Sequence, residues 1–193
     1  MAKTDSEAAR RGRRKTRIWV LQIFLITIFI SAGITFLSDE IMDHSSIFVA
    51  FLILLVIVLV GIVFDVIGVA VTSADEKPFH SMAARKVPGA QEAIRLLRNA
   101  ERVSSICNDV IGDICGVVSG SASATIAAEV LSNFEFSWPR LITLAMSAVV
   151  AALTVGGKAI GKTFAINSST AIVHGVGRAM HLLHLHKAGP KKK

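Results

Sequence analysis

Four stretches of the chain run apolar without the regular polar interruptions of a two-faced helix or strand: residues 18–37, 47–73, 104–131 and 141–165. A helix that crosses a bilayer needs about 20 mainly apolar residues, and each stretch is that long. Between and after them the pattern changes to helical amphipathicity. Residues 89–102 place Ala93, Leu96, Leu97 and Ala100 on one face, with Arg95, Arg98, Glu101 and Arg102 elsewhere. Residues 166–186 place Ile172, Val176, Met180 and Leu183 in one stripe, opposed by His174, Arg178 and His181. Such helices lie along a membrane surface. Ahead of 89–102, "VPG" (87–89) breaks the segment, because proline cannot continue a helix and glycine permits a turn. The pattern predicts an all-α integral membrane protein with four transmembrane helices, a cytoplasmic helical hairpin and a C-terminal juxtamembrane amphipathic helix.

Composition agrees. Hydrophobic residues make up 52% and charged residues 18%, with a mean hydropathy of +0.59, whereas soluble domains are about a quarter charged. The first apolar run follows "RRGRRKTR", yet it exceeds the ~7–15 apolar residues of a signal-peptide core, so a retained helix is expected.

Charge orients the chain. Seven Lys/Arg precede Ile18, six lie between 74 and 103, and seven fall from Lys158 onward. With four spans and both termini cytoplasmic, 20 of the 21 basic residues are inside, as the positive-inside rule expects. The net charge of +7 is then topology signal plus attraction to an anionic inner leaflet, and no nucleic-acid partner is implied. The expected location is a bacterial inner (plasma) membrane. Its parts are a basic cytoplasmic N-terminus (1–17), an added helix with an outer loop (18–46), a transmembrane domain (47–186) and a basic tail (187–193).

The candidate chemistry is polar and buried. At ~1.5 Å per residue, Asn108, Asp109 and Asp113 lie roughly 6–14 Å into the third span. Asp65 lies roughly 12 Å and Lys158 roughly 10 Å from the same surface. Each ionised group at depth costs ~2.5–3.5 kcal/mol, so convergence that lets them offset one another is expected. Three acids and one lysine sum to about −2, which a hard divalent cation would neutralise using carboxylate, amide and carbonyl oxygens. Glycines accompany them: Gly112, Gly116 and Gly120 form a small-residue seam for close helix approach, and Gly68 and Gly157 stand a turn or less from Asp65 and Lys158. Glycines this dense can open a helix locally where it lines a cavity. In the competing structural reading the acids pair with Lys158 and with Lys162, which lies nearer the interface and is expected to snorkel.

Other motifs carry less. His174, His181, His184 and His186 are expected to be polar-face residues, not metal ligands. Cys107 and Cys115 sit eight residues apart in one predicted helix and cannot bridge. "GGKAIGKT" fits a phosphate-binding loop in letters, but an apolar span precedes it where that motif needs a strand. No nucleophile–base pair appears, so the chain is not expected to be an enzyme.

Over about residues 47–186 the chain resembles the transmembrane domain of the CNNM/CorB/CorC magnesium-transporter family. "FDVIGVAVTSAD" is similar to the family's "F-S-x-S-E-x-A-x-T-S", in step at Phe64, Ala70, Thr72 and Ser73. "GAQEAIRLLRNAERVSSI" resembles its "G-x-x-x-A-x-x-L-L-x-x-P-x-R-x-L-S-x-I". "CNDVIGD" matches "G-N-x-x-x-N" at Asn108, and "GKAIGKTFA" matches "G-E-x-x-P-K-x-x-A" at Gly157, Lys162 and Ala165. The resemblance implies three spans with a cytoplasmic hairpin after the first and a belt-like helix after the last. It also implies Mg²⁺ transport with Na⁺ as coupling ion, and a homodimer across the glycine-rich faces is expected. Asn108 is the ligand it carries over directly. The family's two serines and glutamate in the first motif are Asp65, Ile67 and Gly68 here, its second asparagine is Gly112, and its glutamate before the proline is Lys158. The regulatory CBS pair that often follows this domain in the family is expected to be absent here, and a separate regulatory chain is counted among the expected partners.

The expected function is binding and transport of a divalent cation, Mg²⁺ first, through a cytoplasm-facing polar cavity. Asp65, Asn108, Asp109 and Asp113 would be ligands, with Lys158 tuning affinity or gating. The alternatives are a non-transporting scaffold or partner subunit, and a proton- or Na⁺-coupled carrier of another solute.

Overall fold

A computed structural model describes residues 2–43, 46–133 and 138–187; the tail from 188 onward and the side chains of His184 and His186 lie outside what is described. The described residues are almost all helical, without strands. The elements are α1 (Ala2–Asp43), α2 (Ile47–Ser73), α3 (Lys77–Ala84), α4 (Ala90–Arg98), α5 (Ala100–Ser104), a π-helical segment (Ser105–Gly112), α6 (Asp113–Asn133), α7 (Pro139–Asn167) and α8 (Ser169–Lys187). From α5 through the π segment to α6 the helix is continuous. Four helical stretches are long and apolar enough to cross a membrane: Trp19–Ser38, Ile47–Ser73, Ala100–Asn133 and Pro139–Asn167. This is an all-α membrane protein, and its apolar exterior fits the class. Phe29 is 75% and Ile160 76% exposed, a cost in water that hydrocarbon removes.

α2 is the hub, packed by α6, α7, the π segment, α5 and α8. Three apolar clusters hold the bundle. Toward the start of α2, Ala50, Leu54 and Val58 pack with Ala122 and Ile126 of α6 and Val150 of α7. Toward its end, Ala70 and Val71 pack with Phe79 of α3, Ala93 and Leu96 of α4, Ala165 of α7 and Val173 of α8. The third seats α1 on the flank, with Ile23 against Val110, Ile114 and Val118.

The predicted hairpin is present, with its break where proline and glycine stand. Gly89 has φ +86°, a left-handed conformation that costs other residues about 1–2 kcal/mol. The face that α8 buries differs from the expected stripe by one residue. Val173 is fully buried and Gly177 buried, Ile172 and Val176 are half-buried, and Met180 and Leu183 are exposed. Gly177 causes the shift: only a residue without Cβ lets α8 settle against the Gly89 carbonyl, where an added Cβ would collide.

Candidate functional site

The polar site lies between the first two apolar clusters, where α2, the π segment and α7 meet. Asp65 projects from α2 and is 4% exposed. Its Oδ2 stands 4.0 Å from Lys162 Nζ of α7 and has no hydrogen-bond partner. Opposite, the Asn108 amide lies over Gly68, one turn after Asp65; a Cβ at residue 68 would overlap the Asn108 carboxamide. Asn108 Nδ2 donates to Ser104 Oγ at 3.2 Å, while its Oδ1 is buried and unpartnered. Of the three buried side-chain polar atoms without partners among the described residues, two are these oxygens. Buried acceptors are normally satisfied, so the pair is the least satisfied polar feature of the bundle.

Gly112 forms the floor. A Cβ there would stand 3.4 Å from Lys158 Nζ and 3.9 Å from Asp65 Oδ1, so the bare backbone lets both groups approach. Lys158 Nζ donates to the Gly112 carbonyl at 3.2 Å and lies 3.7 Å from Asp113 Oδ1. The Lys158 side chain is 19% exposed and that of Asp113 73%.

Helix-opening by glycines takes a specific form here. The chain does not unwind; it widens into a π segment that ends at Gly112. Such segments within α-helices are rare and concentrate at functional sites. Asn108 and Gly112 both belong to it, so the irregular backbone coincides with the polar cluster.

The expected convergence of three acids does not occur. No group of three His, Cys, Asp or Glu residues suited to a metal exists among the described residues. Asp65 and Asn108 come together, whereas Asp109 and Asp113 are exposed. The reason is helical phase. Asn108 and Gly112, four apart, share the stripe facing α2, and the residue after each is turned onto the next face of the helix. Lysine roles also differ from expectation. Lys162 does not leave the cluster: its side chain is 54% exposed, yet it is the cation nearest Asp65. Lys158 engages Asp113 and a π-segment carbonyl instead.

Of the glycines, Gly68 and Gly112 admit the site's side chains and Gly157 admits Ile62 of α2. Gly116 and Gly120 meet nothing within 4 Å, so their part of the seam faces away from the bundle. Ser104 was not singled out by the sequence; as the partner of Asn108 it orients the amide, and its place one turn before Asn108 is the signal that would have found it.

Away from the site, α4 and α8 are joined by two histidines. His174 Nε2 is 3.2 Å from the Pro88 carbonyl, and His181 Nδ1 is 3.1 Å from Glu92 Oε1. The bond from His181 holds the Glu92 carboxyl below the usual range, against the opposing effect of burial. Both histidines therefore use the polar face of α8 to reach the hairpin.

Fold and cluster together define the class: an all-α membrane protein with a sparsely satisfied polar site inside its helical bundle. Compared with known proteins, the chain matches no family model, no curated relative and no solved structure.

Proposed function

We propose that the protein binds a small hard cation between Asp65 and Asn108 and carries it across the membrane, with Mg²⁺ the first candidate. The observation that carries this reading is the pair of buried, unpartnered oxygens, Asp65 Oδ2 and Asn108 Oδ1, one carboxylate and one amide, the oxygen ligands such cations take. Lys162 neutralises Asp65 in the ion's absence. An arriving cation would replace that ammonium, and the half-exposed lysine has room to swing away. Lys158, by occupying the Gly112 carbonyl, tunes how much backbone oxygen is offered. Asp113 holds Lys158 in place, and Asp109 lies outside the coordination sphere in this state.

The resemblance to the CNNM/CorB/CorC transmembrane domain and the basic-residue distribution support the rest of the reading. Both termini are cytoplasmic, the site opens inward, and the membrane is a bacterial inner membrane. The partners are a second copy of the chain and a separate regulatory chain. The second copy is supported by the face that carries exposed Asp109, Asp113 and Gly120 and half-buried Gly116, since acids on a span do not face lipid cheaply.

One observation favours a second reading. A single buried carboxylate beside a lysine matches a monovalent charge better than a divalent one, as in a Na⁺- or proton-coupled carrier. Thermal melting of the purified protein against Mg²⁺, Na⁺ and pH separates the cases. Ligand at a hundred times its Kd stabilises by about 2.7 kcal/mol. Mg²⁺ stabilisation that vanishes in Asp65→Asn and Asn108→Ala is the expected result. Response to Na⁺ or protons alone would favour the carrier, and indifference to all of them a structural cluster in a scaffold.

A further inference from the structure

The contact between the hairpin and α8 has features that the cation site does not require. Three successive turns of α8 touch the start of α4 and the residues before it. His174 reaches the Pro88 carbonyl, Gly177 meets the Gly89 backbone, and His181 reaches Glu92. The middle contact is backbone against backbone, with no side chain to adjust, so the docking distance is fixed by glycine. The outer contacts are both made by imidazoles to groups that only accept. The two outer contacts respond differently to protons. A carbonyl acceptor gains moderately when imidazole becomes cationic, whereas a carboxylate gains a full ion pair, in a place where the Glu92 side chain is 15% and that of His181 33% exposed.

We propose that the His181–Glu92 contact is a proton-operated clasp, which locks the hairpin onto α8 when His181 is protonated and loosens when it is neutral. Histidine is the side chain whose ordinary titration falls between about pH 5 and 8. Glu92 stays ionised through that range because its carboxyl is held below the usual values by the same contact. Arg95, also on α4, acts on Glu92, and Arg178 stands three residues before His181 on α8. On α3, His80 and Arg98 of α4 both reach Glu76 at 3.1 Å, forming a second titrating contact in the hairpin. The helices α2 and α7 carry only Asp65, Arg140, Lys158 and Lys162 as ionisable residues.

The clasp has something to act on. The cluster beneath it joins Ala93 and Leu96 of α4 and Val173 of α8 to Ala165 of α7, with Val66 packed alongside. Val66 follows Asp65, and Ala165 lies one turn beyond Lys162. Tightening the hairpin on α8 therefore presses on the two helices whose spacing sets the Asp65–Lys162 pair. The inference stands on the hairpin geometry and is independent of which cation, if any, the site takes.

Hydrogen exchange of the full chain in lipid nanodiscs at pH 5.5 and 7.5, corrected for intrinsic rates, tests it. A charge-assisted bond exceeds a neutral one by an amount that converts to roughly threefold to tenfold. Protection of the α4 amides is expected to rise by that factor at pH 5.5 in the native protein. The rise is expected to fall to the smaller part that His174 contributes in His181→Gln, which keeps a donor without charge, and in Glu92→Gln, and to persist in full in His80→Gln. Unchanged protection in α6, which the cluster beneath the clasp does not include, certifies that each variant is folded. A pH response that keeps its native size in both His181→Gln and Glu92→Gln, or that is missing in the native protein, overturns the proposal.

Discussion

Asn108 lies directly across Gly68, so closely that the π segment and α2 can meet only because residue 68 has no side chain beyond hydrogen. Asn108 also hangs from Ser104, so it has little freedom to retreat. Gly68→Ala is therefore an overpacking change, which typically costs about 1–3 kcal/mol, and a lowered melting temperature is the expected readout. The double variant Gly68→Ala/Asn108→Ala should recover part of the loss, because the second change removes the atoms the first collides with.

Asp65 and Lys162 should behave as a coupled pair. Removing the lysine in Lys162→Gln leaves a carboxylate 4% exposed without its nearest cation. Breaking a fully buried pair costs about 3–5 kcal/mol. Lys162 is half-exposed, so a smaller loss of about 1–2 kcal/mol is expected. Asp65→Asn/Lys162→Gln should be more stable than the sum of the single changes implies, measured as a double-mutant cycle by thermal melting.

The hairpin should detach from α8 when either glycine of their contact gains a side chain. Gly177→Ala would meet the Gly89 carbonyl. Gly89→Ala would meet the Arg178 backbone and also force a non-glycine residue to φ +86°, so it should be the more damaging of the two by about 1–2 kcal/mol. Limited proteolysis should then cut between α3 and α5 at sites the native protein protects.

Acid should weaken the same contact from the other side. The Glu92 carboxyl sits below its ordinary value of 4.5 because His181 donates to it. A depressed carboxylate contributes stability that is fully present above the ordinary value and is lost as pH falls through the folded one. Native protein minus Glu92→Gln, followed by melting from pH 3 to 7, should give a difference that shrinks only in the lowest part of that range. A difference that still grew below the ordinary Glu92 value, in that lowest part, would reverse the sign of this account.

The four spans were readable because each consists of about 20 or more uninterrupted apolar residues, a pattern that bilayer thickness itself imposes. The second span runs from Ile47 to Ser73 in both sequence and structure, and the Pro88–Gly89 break fell where local backbone chemistry demanded it. Depth along the helices was equally legible, since rise per residue is constant, and it placed Asp65 and Asn108 at one level. Rotation was not. Whether residue 108 or 109 faces α2 depends on the widened turn at Ser105–Gly112, and a π turn is chosen by tertiary fit, with no composition to announce it. One residue of phase separates Asn108, which joins the site, from Asp109, which does not. The same one-residue ambiguity moved the buried stripe of α8 from Ile172–Val176 to Val173–Gly177.

The most direct test of the central claim is Mg²⁺ flux into proteoliposomes carrying an entrapped indicator, comparing the native protein with Asp65→Asn and with Asp109→Asn. The account predicts flux for the native protein, loss of at least about tenfold in Asp65→Asn, equivalent to 1.4 kcal/mol or more in the transport barrier, and near-native flux in Asp109→Asn. Flux that is equal in native protein and Asp65→Asn, or absent from the folded native protein, would contradict it.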